Sequence, residues 1–242
     1  MTPAAPPPRR QGWFAAVLLL LAGGFIWLGL WQLDRRQWKH ELIAAVDARA
    51  HAEPVSPPPR AEWPKVTQAT HAYLHVQLVG RYLNVPDTFV QAVTERGPGY
   101  WVLSPLDTGE GVILVNRGFV SRRAATPPPD ETGLLTGLVR MSEPGGGFLR
   151  RNDPAVDRWY SRDVAAIASA RGLTDVAPYF VDANSMFASL ESFDHVHHFE
   201  PDDPISGLTV IRFSDNHMAY ALTWFAMALM SLGGAVLVWR RR

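Results

Sequence analysis

The sequence reads WFAAVLLLLAGGFIWLGLWQL from residue 13 to 33 and MAYALTWFAMALMSLGGAVLVW from residue 218 to 239. Gln32 is the one strongly polar side chain of the first run, and the second run carries no charged residue. An α-helix rises about 1.5 Å per residue, so about 20 apolar residues cross a hydrocarbon core of roughly 30 Å. Because lipid cannot hydrogen-bond to the backbone, both runs are predicted to be transmembrane helices.

A cleaved signal peptide is the alternative for the first run, with Arg9 and Arg10 as its basic region. The apolar run is long for a signal peptide, and no small-x-small cleavage site follows it. The next residues, LDRRQWKHELIAAV (33–46), have the character of a helix that continues into water. We therefore interpret the first run as an uncleaved anchor.

The charges beside the two runs predict the orientation of the chain. Three arginines follow the second run, and the positive-inside rule places them, and with them the N-terminus, in the cytoplasm. Arg35, Arg36 and Lys39 carry little weight, because they precede a long segment that is translocated largely regardless of charge. The expected plan is a disordered cytoplasmic tail at 1–12, a transmembrane helix at 13–33, an extracytoplasmic β-rich domain at 34–216, a transmembrane helix at 217–239 and a basic cytoplasmic tail at 240–242. This plan describes a multi-pass protein of the cell inner membrane with a periplasmic central domain.

The central segment carries short β-type runs separated by turn signals. LHVQLVG (74–80) alternates apolar and polar residues, which is the period of a half-buried strand, and DTGEG (107–111) predicts a tight turn between two strands. Strands are expected at 72–83, 87–93, 99–106, 111–120, 134–141, 176–183 and 207–213, with one short helix at 163–171 that Asp163 and Gly172 cap. Because the spacing between strands is short, the sheet is expected to be antiparallel. The proline-rich stretch 53–64 is expected to be an extended linker without helix. The predicted fold class is an α+β membrane protein.

Composition excludes several classes of function. The chain has 23 basic and 23 acidic residues, so no strong field attracts it to nucleic acid. It has no cysteine, which excludes disulfides, thiolate metal ligands and covalent haem attachment through a Cys-x-x-Cys-His motif. The sequence also lacks a nucleophile elbow, an HExxH motif and a paired-carboxylate pattern, so no enzyme activity is predicted.

A histidine-rich stretch, HVHHFEPDD (195–203), is a candidate metal site because His and carboxylate side chains bind zinc and copper. On a strand, His195 and His197 would lie on one face, and His198 completes the cluster. The alternative is a solvated polar loop, which we favour because a sequence-local cluster without supporting groups is a weak signal of a metal site.

His217 stands at the outer end of the second apolar run. A neutral imidazole is a good axial ligand for haem iron. An ionisable side chain at a membrane boundary is also common without any function, and the residue pattern alone favours this second interpretation.

Six stretches of the sequence form a recognisable series of motifs. They are Gly29, Trp31, Gln32, Arg35, Trp38 and Lys39; Gly80, Arg81 and Tyr82; Arg96, Gly97, Gly99, Tyr100 and Val102; Val115 to Gly118; Asn152 to Asp163, with Trp159, Tyr160 and Arg162; and GLTVIRFSDNHMAYALTWF (207–225). In this order they resemble the motifs of the surfeit-locus family of cytochrome c oxidase assembly factors. The last stretch is the most specific to the family, although Asp215 departs from the usual asparagine.

The resemblance implies a role in the biogenesis of haem-copper oxidases, in which the protein transiently binds haem a and helps it reach subunit I. His217 matches the family histidine proposed as an iron ligand, and Tyr220 and Trp224 fall at helical spacings that partly share its face. Arg35 and Lys39 are expected either to pair with haem propionates or to anchor at lipid headgroups. The implied partners are oxidase subunit I, other assembly factors and membrane lipid. A membrane chaperone that binds no haem, and a membrane-anchored metallohydrolase built on the histidine cluster, are the alternatives.

Overall fold

A computed structural model describes residues 10–147, 149–190, 202–208 and 216–240 of the 242-residue chain. Its helices are α1 (Arg10–Ala50), α2 (Gln68–His71), α3 (Val164–Arg171) and α4 (His217–Arg240). Its strands are β1 (His75–Tyr82), β2 (Thr88–Thr94), β3 (Gly97–Asp107), β4 (Val112–Val120), β5 (Thr132–Met141), β6 (Val176–Ala183) and β7 (Ala188–Ser189). The chain divides into a helix unit, formed by α1 up to Ala45 together with α4, and a barrel unit that begins at Val46.

The two apolar runs form the helices of the helix unit. As the sequence predicts, α1 continues without a break through the polar residues after Leu33, and it ends at Ala50. Both α1 and α4 are long and apolar enough to cross a membrane. Their outer surfaces carry many exposed apolar side chains, including Leu20, Trp27 and Leu229, which suits a lipid environment.

The barrel unit is a closed five-stranded sheet. Around the barrel the strands follow the order β1, β3, β4, β6, β5 and back to β1, with β2 added to β3 and β7 added to β5. Closure rests on the seven-residue register between β1 and β5, from His75 with Leu138 to Arg81 with Thr132. A closed sheet leaves few unpaired edges, which limits pairing with other chains.

β4 and β6 are buried on both of their faces. Ile113 and Val115 of β4 point into the barrel with Tyr179 and Val181 of β6. The alternate residues, among them Leu114, pack outside the barrel. They lie against α3 and Trp159, in a cluster that also contains Phe180 and Ile167. A strand that is buried on both faces is apolar throughout, which explains the unbroken GVILV run in the sequence.

The capping of α3 is confirmed. The Asp163 side chain accepts a hydrogen bond from the backbone N–H of Ala166, and Gly172 takes the left-handed conformation at the C-terminus (φ 65°). A polar N-cap side chain pairs with a backbone N–H of the first turn. A glycine in the left-handed conformation lets its own N–H pair with backbone carbonyls of the last turn.

Two expectations about this domain are wrong. The sheet is not wholly antiparallel, because β4 pairs with β6 in parallel, from Val112 with Val176 to Asn116 with Asp182. More than 50 residues separate these strands, and a connection of that length allows a parallel crossover that short loops forbid. The proline-rich linker contains a short 3-10 helix at Arg60–Lys65. Pro64 is compatible with this helix because it lies near the end, where its missing N–H removes only one backbone donor. The predicted strand at 207–213 lies largely outside the described residues.

Candidate functional site

The two helices of the helix unit run antiparallel. Residues near the start of α1 contact residues near the end of α4, and residues further along α1 contact residues near the start of α4. These contacts bring together Leu18 and Gly234, Phe25 and Trp224, Gly29 and Phe225, and Gln32 and His217. The end of the pair that holds His217 is therefore also the end at which the apolar run of α1 gives way to charged residues.

Small residues at seven-residue intervals line the seam between the helices. Ala15, Ala22 and Gly29 are buried on α1, and Ala221, Ala228 and Ala235 are buried on α4. A seven-residue repeat keeps one face of a helix against its partner, and small side chains let membrane helices approach closely. At Gly29 the approach is so close that an added Cβ would lie 2.5 Å from the Phe225 ring.

His217 is the first residue of α4 and is partly buried. Its Nδ1 lies 2.7 Å from the side-chain oxygen Oε1 of Gln32. An amide oxygen can only accept, so Nδ1 carries the hydrogen and donates a hydrogen bond to Oε1 of Gln32. The imidazole is then the tautomer whose Nε2 has the lone pair, which is the arrangement that carbonyl and carboxylate partners impose on metal-binding histidines.

Trp224 stacks on Phe25, with ring centroids 5.8 Å apart and planes 23° apart, which fixes an aromatic surface two turns below His217. Tyr220 lies between these levels on α4 and is 56% exposed, and its backbone N–H donates to Asn216. The structure therefore places the predicted residues of α4 along one end of the helix, with the tyrosine directed outward.

The predicted cations of α1 lie beyond Gln32. The guanidinium of Arg35 lies 3.9 Å from the ring centroid of Trp38, and both side chains are exposed. Lys39 is partly buried one turn further on. An arginine stacked on an exposed tryptophan is an arrangement that suits a headgroup region, where both side chains prefer to lie.

The histidine cluster at His195, His197 and His198 lies outside the described residues. Within the described ranges, no group of three or more His, Asp or Glu side chains is placed to hold a metal ion. Asp202, at the end of that stretch, accepts two hydrogen bonds from Arg122.

A buried ionic cluster stabilises the junction of β4, β5 and β6 in the barrel unit. Asp182 is 3% exposed and accepts hydrogen bonds from Asn116 (2.8 Å), Arg140 (2.8 Å) and Arg162 (3.1 Å). Arg162 also donates to Glu143. Burial lowers the pKa of Arg162, but Asp182 and Glu143 outweigh it and raise that pKa, so the charge is secure. Asn116 lies on β4, Arg140 on β5 and Arg162 in the loop before α3, so the cluster joins three parts of the barrel unit.

A second cluster surrounds Tyr82 at the end of β1. Arg117 donates to Asp87 (3.3 Å) and to the Thr126 carbonyl (2.8 Å), and its guanidinium faces the Tyr82 ring at 5.9 Å. Burial raises the pKa of Tyr82 well above its ordinary value, so the phenol stays protonated and able to donate. The ring of Phe187 also packs against Tyr82, with ring centroids 5.0 Å apart.

Comparison with known proteins decides the family. A model of the SURF1 family matches residues 19–229, which is most of the chain. The chain belongs to the SURF1 family. Surfeit locus protein 1 of Mus musculus is 32% identical over 83% of this chain and 67% of its own length, and that of Homo sapiens is 32% identical over 83% and 69%. A SURF1-like protein of Monosiga brevicollis is 33% identical over 89% of this chain and 82% of its own.

Membership of the SURF1 family confirms the resemblance that the sequence motifs indicated. Those motifs contain three residues that were not predicted as site residues: Gln32, Tyr82 and Arg117. Gln32 is the only strongly polar side chain of the first apolar run, and this signal was available from the sequence. The environments of Tyr82 and Arg117 depend on how the barrel closes, which the sequence pattern does not specify.

Proposed function

We propose that this SURF1-family protein assists the assembly of haem-copper cytochrome c oxidase by holding haem a transiently and helping it reach subunit I. Family membership supports the assembly role, and the bond between His217 and Gln32 supports haem handling. The protein acts as a binding factor without turnover, and haem a is its cargo.

The side chains at the His217 end of the helix pair suit an iron porphyrin. His217 offers an imidazole whose tautomer Gln32 fixes, and Nε2 is the nitrogen able to bind iron. Trp224 and Tyr220 provide aromatic surface for the macrocycle, and Arg35 and Lys39 provide cations for its propionates. When bound, the porphyrin supplies the redox-active iron that the oxidase later uses. The role of this chain is to hold, orient and release it.

The proposed location is the cell inner membrane, with both termini cytoplasmic and the β-rich domain periplasmic. The lengths and apolar composition of α1 and α4 support two spans. The arginines at positions 9–10 and 240–242, which flank the two spans, support the orientation. The proposed partners are oxidase subunit I, other assembly factors and the lipid around α1 and α4.

An absorption spectrum tests the haem assignment. The full chain is purified in mild detergent from cells that make haem a, and the Soret band is measured per mole of protein. We expect a haem a spectrum that is lost or strongly reduced in His217→Ala. His71→Ala, a change at a histidine of the barrel unit, provides the matched control and is expected to keep the spectrum.

Complementation separates haem handling from a chaperone function. A colourless protein that restores oxidase activity in a strain without the native gene would support a membrane chaperone that binds no haem. Equal haem content in the wild-type and His217→Ala proteins would disprove the role of His217 as ligand.

A further inference from the structure

A cavity of about 240 Å³ opens at one end of the barrel. Tyr82 and Leu135, which belong to the barrel core, form its floor. Pro127, Met186 and Phe187 form apolar walls. An apolar cavity of about 150 Å³ is large enough to bind benzene, so this cavity can hold a substituted aromatic ring. The mouth of a barrel is also a common position for ligand sites.

The hydroxyl of Tyr82 is a polar group at this cavity without a hydrogen-bond partner among the described residues. Tyr82 is 6% exposed, yet its hydroxyl forms no hydrogen bond with any described residue. Across the same part of the chain, every fully enclosed side-chain nitrogen and oxygen has a partner. The Tyr82 hydroxyl is therefore not fully enclosed, and Tyr82 is one of the residues that line the cavity. A donor that has no protein acceptor and is not fully enclosed is available to the oxygen of a ligand.

The charges at the cavity favour a neutral ligand. Arg117 lines the wall, but Asp87 already matches its charge at 3.3 Å. Arg117 is the one cationic side chain among the described residues that line the cavity, so no unmatched positive charge there favours an anion. A ligand therefore needs an oxygen that accepts from Tyr82 and no negative charge of its own.

We propose that the mouth of the barrel binds a small, neutral, apolar molecule whose carbonyl-type oxygen accepts a hydrogen bond from Tyr82. This site lies within the barrel unit and is separate from the residues of the helix unit that we propose for haem. Its existence does not depend on the proposed function.

Methyl NMR of the full chain in detergent tests this proposal. The protein has six methionines, which are labelled with ¹³C at the methyl group, and Met186→Leu assigns the resonance at the cavity. Acetophenone is titrated as the probe, since it combines an aromatic ring with a carbonyl. Isopropylbenzene has the same shape without the acceptor, and benzoate adds a charge. The methionines of α4, such as Met227, report partition of each probe into detergent.

We expect acetophenone to shift the Met186 resonance to saturation, while Met227 changes only in proportion to concentration. Tyr82→Phe should weaken acetophenone binding about 3- to 10-fold, the worth of one hydrogen bond, and leave isopropylbenzene binding unchanged. Tyr179→Phe is the matched control, because Tyr179 is a fully buried barrel tyrosine whose hydroxyl already donates to the Pro58 carbonyl. It should not alter acetophenone binding.

Three results would overturn the proposal. One is the absence of a saturable shift at Met186 with millimolar acetophenone. Another is an equal loss of affinity in Tyr82→Phe and Tyr179→Phe, which would indicate a general change in the barrel. Tighter binding of benzoate than of acetophenone would show that the site selects an anion.

Discussion

The side-chain oxygen of Gln32 on α1 lies 2.7 Å from Nδ1 of His217 on α4, so one hydrogen bond joins the two helices of the helix unit at their polar end. This bond orients the imidazole and selects its tautomer at the same time. Partners of this kind behind a metal-binding histidine typically change metal affinity by about 10- to 100-fold.

Replacing Gln32 with Leu should therefore reduce the amount of haem a that copurifies with the protein. We expect an affinity loss of about tenfold, because the ring keeps its position in the helix but loses its fixed tautomer. The measurement is the Soret absorbance per mole of purified protein, followed by titration of haem into the apoprotein. Gln37→Leu is the matched control, because Gln37 is an exposed residue of α1 whose side chain donates to Glu41 on the same helix. Equal haem binding by Gln32→Leu and Gln37→Leu would show that the bond serves only to join the helices.

Gly29→Ala should weaken the packing of the helix pair. The added Cβ would lie 2.5 Å from the Phe225 ring, so the helices or the ring must move. Overpacking of this kind costs about 1–3 kcal/mol. Gly23→Ala is the control on the same helix, because nothing lies within 4 Å of its added Cβ. Thermal unfolding of the full chain in detergent, monitored by intrinsic fluorescence, should show a lower midpoint for Gly29→Ala only.

The double variant Gly29→Ala with Phe225→Leu checks the cause of this effect. A smaller side chain at 225 makes room for the new methyl group, so the double variant should recover part of the lost stability. If Phe225→Leu gives no recovery in the Gly29→Ala background, the close approach at this position does not explain the loss.

Asp182→Asn should strongly destabilise the barrel. The change keeps the size of the side chain but removes the charge that Arg140 and Arg162 share. Removing one member of a buried ion pair costs about 3–5 kcal/mol. Asp47→Asn, at an exposed pair with His51, should cost less than about 1 kcal/mol. Urea unfolding of both proteins at neutral pH measures the difference, and a loss below that of Asp47→Asn would contradict a structural role for the cluster.

Asp157 should make the stability of the barrel fall in acid. Burial would raise the pKa of Asp157, but hydrogen bonds from the Trp159 indole and the Arg171 guanidinium outweigh it and hold that pKa below its ordinary value. The unfolded chain therefore binds a proton at a higher pH than the folded chain. The contribution of Asp157 is complete above a pH of about 4 and is lost as the pH falls through its folded-state pKa.

The check is the free energy of unfolding in urea from about pH 6 to about pH 3, for wild-type protein and for Asp157→Asn. Asparagine tolerates the left-handed backbone of this residue (φ 50°), so the substitution changes mainly the charge. The difference between the two proteins should shrink as the pH falls. A difference that stays constant over this range would mean that Asp157 titrates alike in the folded and unfolded chains.

The local elements of the barrel were predictable because their signals are local. The alternation in LHVQLVG gave β1, and the Asp163 and Gly172 caps gave α3. The pairing of β4 with β6 was not predictable, since it depends on contacts between residues about 60 positions apart. Strand spacing reports how neighbours in sequence connect, and it carries no information on which distant strands meet.

The candidate site shows the same limit. His217 was identified from its place at the end of an apolar run, but its partner is 185 residues away on the other helix. The apolar run around Gln32 marked that residue as unusual without indicating which side chain it would meet. Tyr82 stood in a recognisable motif, yet its unpaired hydroxyl depends on the closed barrel, because Phe187 and Arg117 reach it from other strands or loops.

The order in which the strands are synthesised gives β6 a special place in the folding of the chain. β6 pairs with β4 on one side and β5 on the other, and it is made after both. A nascent chain that ends before Val176 therefore carries two apolar strands with unpaired edges, which is the condition that promotes aggregation. Pairings between distant strands also form slowly. Truncation anywhere ahead of β6 should leave a polypeptide that cellular proteases remove, whereas the chain becomes protected as soon as this last barrel strand has joined its two neighbours.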